Sequence, residues 1–102
     1  MSLPNEKGDI FMRLPTMTMI MQYIDGDTYK ERAIGEYWFV KTKYDNLHKM
    51  IIKREAGKLD FTPNCSMAQW GAQAKAMGEY LYQLEIKAEI EGIDLEAIFY
   101  IA

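Results

Sequence analysis

The sequence of 102 residues lacks the residues that several kinds of functional site require. It contains one cysteine, Cys65, and one histidine, His48, which excludes an internal disulfide, a cysteine-based zinc site and a two-histidine metal motif within it. Its seven glycines are scattered and form no phosphate-binding loop. No apolar run approaches the roughly 20 residues that cross a bilayer, and residues 1–8 lack the pattern of a secretory signal. We therefore expect no metal, no cofactor and no membrane partner.

The composition is that of one folded domain over residues 1–102, with 49% hydrophobic, 26% charged and 13% aromatic residues. A net charge of −3 argues against DNA binding, which usually needs a basic domain. The charge is unevenly spread, because residues 28–58 carry eight basic and four acidic side chains, whereas residues 59–102 carry two basic and seven acidic ones. Such a chain can bind a small anion or pair with copies of itself. Two solvated helix faces of opposite charge would give the same pattern.

The first long helix is expected over residues 28–56. Thr28 and Glu31 have capping-box spacing, and Gly57 suits the left-handed residue that commonly follows a helix. Apolar residues recur at alternating steps of four and three, which is typical of a helix that packs along its length. The members of this first seam are Ala33, Tyr37, Val40, Tyr44, Leu47 and Ile51.

The second long helix is expected over residues 64–92, after a loop in which Pro63 blocks helix continuation. Ser66 and Gln69 again have capping-box spacing, and Gly92 is expected to end the helix with Ile93 folding back as an apolar contact. The second seam consists of Met67, Trp70, Ala74, Met77, Leu81, Leu84 and Ala88. Two helices of similar length with a short connection predict an all-α fold, an antiparallel helical hairpin.

Short elements are expected on either side of the hairpin. Within the lead-in of residues 1–27, residues 16–24 fit a strand or a short helix capped by Thr16, and we favour the helix because no strand partner exists. Residues 94–102 form an apolar tail. Five further large side chains lie off both seams: Trp38, Phe39, Ile52, Tyr80 and Tyr82. This excess of apolar surface predicts a homo-oligomer, although the tail and the short helix could instead close a monomeric core.

A column of cations on the first helix is the strongest candidate site. Its members Arg32, Lys43 and Arg54 are 11 residues apart, which is about three helical turns or ~16 Å. Three neighbours share this face: Tyr29, Glu36 and Phe39. Arginine can grip a phosphate with two hydrogen bonds, and an aromatic ring can stack on a nucleobase. The column could hold a nucleotide, although basic stripes are common on long helices that bind nothing.

The remaining chemistry is sparse. Asp45 and His48 lie on one face of the first helix, as surface pairs often do, and Cys65 precedes a helix start but has no partner group nearby in sequence. No acid–base pair or metal set has suitable spacing, so we do not expect an enzyme.

Several stretches resemble small phage and prophage helical-hairpin proteins, a group that includes the anti-CBASS sponge proteins. The first half contributes Tyr29-x-x-Arg32-x-x-x-Glu36, Lys43 and Tyr44-Asp45-Asn46-Leu47. The second half contributes Asp60-Phe61-x-Pro63-x-Cys65, Gln73, Ala76-Met77-x-x-Tyr80-Leu81-x-x-Leu84 and Ile90-Glu91-Gly92-Ile93. The resemblance covers roughly residues 27–95.

The resemblance implies a compact oligomer, commonly a hexamer, that sequesters a cyclic oligonucleotide or other small nucleotide signal without cleaving it. By position, the aromatic role in the pocket falls on Tyr29 and the lysine role on Lys43, with Arg32 as a third candidate. An alternative register moves the aromatic role to Tyr23. The expected function is a phage-encoded sponge in the host bacterial cytoplasm, a compartment that also fits the single cysteine. The alternative is an inhibitor or adaptor that binds a host protein through its apolar tail or its acidic second helix.

Overall fold

The computed structural model describes residues 14–100, and every regular element among them is helical. A short helix α1 spans Met17–Ile24, and two long helices follow, α2 over Tyr29–Glu55 and α3 over Met67–Glu91. A 3-10 helix over Leu95–Phe99 ends the described chain. The predicted all-α class is confirmed, while the predictions for residues 1–13 and for the last two residues of the tail lie outside the described residues.

Local sequence signals mark the helix ends. Thr28 and Glu31 form a reciprocal capping box at the start of α2, and the Ser66 hydroxyl accepts a hydrogen bond from the Gln69 amide at the start of α3. The short segment after Pro15 is a helix, as favoured from the sequence, and Thr16 caps it by accepting a hydrogen bond from the Met19 amide. The strand alternative is therefore wrong.

Gly92 ends α3 in the left-handed conformation, with φ of 68°. The chain then turns back, and the amide of Ile93 donates to the Ala88 carbonyl at 2.9 Å while its side chain is buried. This is the predicted glycine-terminated helix end with its apolar contact. The turn directs the following residues toward the start of α2.

The two long helices pack in opposite directions. Tyr29 at the start of α2 hydrogen-bonds Glu91 at the end of α3, and Tyr37 hydrogen-bonds Glu85 further along. At the far end, the Arg54 guanidinium lies 4.8 Å from the centre of the Trp70 ring. The order of contacts thus reverses between the helices, so the start of α2 lies beside the end of α3.

The core lies at this end of the helix pair. Both short elements pack into it, since Ile20 of α1 and Ile98 of the 3-10 helix are 0% and 1% exposed. The Trp38 indole donates a hydrogen bond to the Leu95 carbonyl at 2.7 Å and packs edge-on against Phe99. Trp38 lies off the first seam and is nevertheless buried, because α1 and the tail cover the side of α2 that the seam leaves open, which is the core closure named as the alternative to an oligomer.

Other off-seam residues remain accessible. Ile52, Tyr80 and Tyr82 are exposed, and α3 adds Ile90, which is 78% exposed. The homo-oligomer therefore stays a prediction. The exposed apolar residues that would form its interface lie mainly on the outer surface of α3 and not in the tail.

Candidate functional site

A cavity of about 190 Å³ lies between the first two turns of α2, the last two turns of α3 and the segment that leads into the 3-10 helix. It is lined by Tyr29, Arg32, Ala33, Glu36 and Tyr37 of α2, by Leu84, Lys87, Ala88 and Glu91 of α3, and by Ile93 and Leu95. Its wall therefore combines an apolar floor with charged and phenolic groups. This is the composition of a small-molecule pocket, although typical pockets are larger, about 300 to 1,000 Å³.

Tyr29 occupies the mouth of the cavity. The residue is 49% exposed, and its hydroxyl donates a hydrogen bond to Glu91 Oε1 at 3.0 Å. The Lys87 ammonium lies 5.5 Å from the centre of the same ring. Interaction with the Tyr29 hydroxyl, reinforced by the negative charges of Glu91 and Glu36, raises the pKa of Lys87. Lys87 is therefore a persistent positive charge beside an accessible aromatic ring.

Arg32 and Glu36 follow Tyr29 at helical spacing along the wall of the cavity. Arg32 donates a hydrogen bond to the Gly26 carbonyl at 3.0 Å, which fixes one end of its guanidinium against the turn before α2. The Tyr80 hydroxyl donates to Glu36 Oε2, and this bond is the largest of the causes that raise the pKa of Tyr80. Both charged groups are thus oriented by neighbours from other elements.

The inner wall is better shielded from solvent. Tyr37 is buried, and its hydroxyl donates a hydrogen bond to Glu85 Oε2 at 2.7 Å. Ala88 and Ile93 are also buried. A cavity floor made by these residues can bury an apolar or aromatic part of a ligand while the charges stay at the mouth.

The structure separates the six residues predicted from the sequence. Tyr29, Arg32 and Glu36 line the cavity together, whereas Phe39, Lys43 and Arg54 do not line it. Phe39 and Lys43 pair with each other, with the ammonium 5.4 Å from the ring centre. Arg54 lies over Trp70 and donates to the Cys65 carbonyl at 2.9 Å, which fastens the loop between the long helices.

Lys87 and Glu91 are site residues that the sequence reasoning missed. They belong to the acidic second helix, whose charges suggest only a solvated surface. One signal was available, because Lys87 is one of only two basic residues in residues 59–102 and lies one turn before Glu91. Their position opposite Tyr29 depends on how α3 packs against α2.

Among residues 14–100, no group of three or more histidine, cysteine, aspartate or glutamate side chains is arranged to hold a metal ion. No helix in that range is long and apolar enough to span a membrane.

Fold and site together describe a small all-helical protein with a charged, aromatic-lined cavity at one end of a helix pair. The family model named Sequestin matches residues 27–90, which include α2, all but the last residue of α3 and most of the cavity wall. The chain therefore belongs to the Sequestin family, and the family name indicates sequestration of another molecule. This agrees with the sponge character implied by the sequence resemblance. Neither the curated proteins nor the solved structures gave a match.

Proposed function

We propose that this protein is a phage-encoded, non-enzymatic sponge that sequesters a cyclic oligonucleotide or related nucleotide immune signal in the host bacterial cytoplasm. The observation that carries the proposal is the cavity that brings Tyr29, Arg32 and Lys87 together in a chain of the Sequestin family. Binding alone would block the defence response, because the signal no longer reaches its receptor.

Each of the three residues has a role in this mechanism. The accessible Tyr29 ring stacks on a nucleobase, an interaction worth about 1–3 kcal/mol per base. Arg32 and Lys87 neutralise phosphates, Arg32 through its planar fork and Lys87 as a point charge. Nanomolar affinity requires about −12 kcal/mol in total, so these contacts must act with burial of the base against the apolar floor.

The size of the cavity supports a shared site. About 190 Å³ accommodates only part of a cyclic dinucleotide. Lys43 lies 14 residues after Tyr29, or about 21 Å along α2, so one chain does not bring both to one phosphate. A neighbouring copy that presents its Phe39 and Lys43 to the open side of the cavity would enlarge the site. The proposal therefore includes a homo-oligomer, for which a hexamer is one arrangement.

Titration calorimetry against cyclic dinucleotides, cyclic trinucleotides and cyclic ADP-ribose isomers tests the proposal. We expect nanomolar binding of at least one compound. Heating the complex should then release the ligand with unchanged mass and retention time in liquid chromatography, since a sponge does not cleave it. No heat with any compound from a well-folded sample would refute nucleotide sequestration, and a shifted ligand mass would refute the non-enzymatic mechanism.

Variants locate the site. Tyr29→Ala, Arg32→Ala and Lys87→Ala should each weaken binding by about tenfold to a hundredfold, because each removes a stacking or charge-assisted contact. Lys75→Ala is the matched control. Lys75 is a highly exposed lysine of the same helix as Lys87, it forms an ion pair with Glu79, and it does not line the cavity. Lys43→Ala should weaken binding only if the site spans two copies. Equal effects at Lys75 and Lys87 would contradict the assignment.

A second function is favoured by one observation. Tyr82, Ile86 and Ile90 form an exposed apolar row at four-residue spacing on the acidic helix α3, and such a row suits an inhibitor or adaptor that binds a host protein. The apolar tail is less suited to this role, because Ile98 is buried against the chain's own helices. Stoichiometric capture of one host protein that is lost in Ile86→Glu, with no nucleotide binding, would favour this alternative.

A further inference from the structure

The charges that line the cavity balance. Arg32 and Lys87 supply two positive groups, and Glu36 and Glu91 supply two negative ones. A site built only to hold phosphates would be expected to carry an excess of cations. The carboxylates are therefore the unexplained part of the cavity, since nothing in the proposed phosphate contacts uses them.

Both carboxylates are held by tyrosine hydroxyls from the opposite helix. Tyr29 of α2 donates to Glu91 Oε1 of α3, and Tyr80 of α3 donates to Glu36 Oε2 of α2. Each hydroxyl engages one oxygen of its carboxylate. An ionised carboxylate accepts hydrogen bonds only and has about four acceptor positions, so each retains capacity for further donors.

The same carboxylates share the cavity wall with Lys87. The charges of Glu91 and Glu36 both contribute to raising the pKa of Lys87, so both lie within electrostatic range of its ammonium. A phosphate that approaches Lys87 therefore also meets negative charge, whereas a hydroxyl or N–H group beside that phosphate meets an acceptor.

We propose that Glu36 and Glu91 select ligands that carry hydrogen-bond donors next to a phosphate, and that they exclude simple polyanions. This inference rests on the proposed function and specifies the ligand class of the same cavity. The donors are either ribose hydroxyls or N–H groups of a nucleobase, which offer the same chemistry to a carboxylate. Tyr29 and Tyr80 act as positioning residues that aim the two carboxylates.

Inorganic pyrophosphate tests the exclusion of polyanions without requiring knowledge of the physiological ligand. Wild-type protein should bind it weakly, and Glu36→Gln/Glu91→Gln should bind it at least tenfold more tightly, as measured by calorimetry or NMR shifts. Glutamine retains the acceptor oxygen for each tyrosine and removes the charge. Glu89→Gln, at an exposed position of the same helix that does not line the cavity, is the matched control. If the double variant has a much lower Tm than wild type, the single variant Glu91→Gln replaces it in the same measurement.

Adenosine diphosphate tests donor recognition, because it adds ribose hydroxyls and base N–H groups to the same diphosphate. Wild-type protein should prefer it to pyrophosphate at least tenfold. Stacking of the adenine on Tyr29 contributes to this preference in every variant, so donor recognition is the part of the preference that the charge-removing variant loses and Glu89→Gln retains. If a 2′,3′-dideoxy analogue loses this part of the preference, the recognised donors are the ribose hydroxyls. If an N6,N6-dimethyl analogue loses it, the recognised donor is the N–H group of the base.

Two results would overturn the inference. The first is pyrophosphate binding that is no tighter in the variants than in wild type, and the second is a wild-type protein that binds adenosine diphosphate no better than pyrophosphate. Failure of the proposed function is read separately, from the absence of binding across the cyclic nucleotide panel. The two failures are therefore distinguishable.

Discussion

At the scale of single residues, Tyr37 links the site to the stability of the fold. Its ring packs edge-on against Trp38 with a centroid distance of 5.2 Å, and its hydroxyl donates to Glu85 at 2.7 Å. Burial, assisted by this hydrogen bond and by nearby carboxylates, raises the pKa of Tyr37 far above its ordinary value of 10.0. The residue thus supports the inner wall of the cavity as a neutral phenol.

Tyr37→Phe should lower the free energy of unfolding by about 1 kcal/mol, because the ring contacts remain and only the hydrogen bond is lost. For a chain of this size, that corresponds to a decrease in Tm of about 4–8 °C. Thermal unfolding at pH 8, followed by circular dichroism, measures it. Tyr82→Phe is the control, since Tyr82 is 61% exposed and should leave Tm unchanged. Equal effects of both changes would contradict the account.

The raised pKa of Tyr37 predicts a loss of stability in alkali. The folded protein retains the phenolic proton above pH 10, whereas the unfolded chain releases it near its ordinary pKa of 10.0. The unfolded state then binds fewer protons, so the free energy of unfolding falls as pH rises from about 10 upward. Denaturant midpoints measured between pH 8 and 11 should decline more steeply in wild type than in Tyr37→Phe. Parallel curves would show that Tyr37 does not titrate differently in the two states.

At the scale of elements, the crossing of α1 over α2 depends on Gly35. A Cβ atom added there would lie 2.5 Å from the Ile24 backbone nitrogen, so the end of α1 can approach α2 only where α2 has no side chain. This contact carries Ile20 into the core beside Trp38. The position of α1, and with it one side of the core, therefore depends on the absence of a side chain at Gly35.

Gly35→Ala should destabilise the protein by about 1–3 kcal/mol, the usual range for overpacking, because the obstacle is backbone and cannot rotate away. Gly71→Ala provides the matched comparison in α3, where nothing lies within 4 Å of the added Cβ. That change should stabilise by about 0.5–1 kcal/mol through higher helix propensity. Urea unfolding of the two variants measures both, and a stabilising Gly35→Ala would contradict the close crossing.

At the scale of the whole molecule, one end is packed and the outer face of α3 is not covered. The core joins α1, both long helices and the 3-10 helix, whereas Tyr82, Ile86 and Ile90 remain exposed on α3. The charged residues near them in sequence are mostly acidic, whereas exposed Ile52 on α2 has Lys49 and Lys53 as near neighbours in sequence. An apolar row beside acidic residues and an exposed isoleucine beside two lysines favour association between copies.

The double change Ile86→Glu and Ile90→Glu should reduce the solution mass measured by light scattering, because it places charge in the apolar row. Gln73→Glu with Ala76→Glu adds the same charge at exposed positions earlier in α3 and should leave the mass unchanged. If copies share the cavity, nucleotide affinity should fall together with the mass in the first variant. A wild-type protein with the mass of one chain would refute the oligomer.

Prediction from the sequence succeeded where the physics is local. The capping box of Thr28 and Glu31 and the left-handed Gly92 were predicted from neighbouring residues, and both are present. Helical periodicity likewise predicted a common face for Tyr29, Arg32 and Glu36. The same stripe includes Lys43, which does not line the cavity of its own chain, because a stripe on one helix carries no information about where along its length a second helix closes a cavity.

The sequence by itself determined the helices, their ends and the basic and acidic character of the two long ones, because caps and hydrophobic periods depend on residues a few positions apart. Only the tertiary structure decided which side chains meet. Trp38 is buried because α1 and the tail fold over it, and Lys87 and Glu91 face Tyr29 because α3 returns along α2 in one register. That register depends on contacts between residues far apart in the sequence, such as the hydrogen bond from Tyr37 to Glu85, which no local pattern encodes.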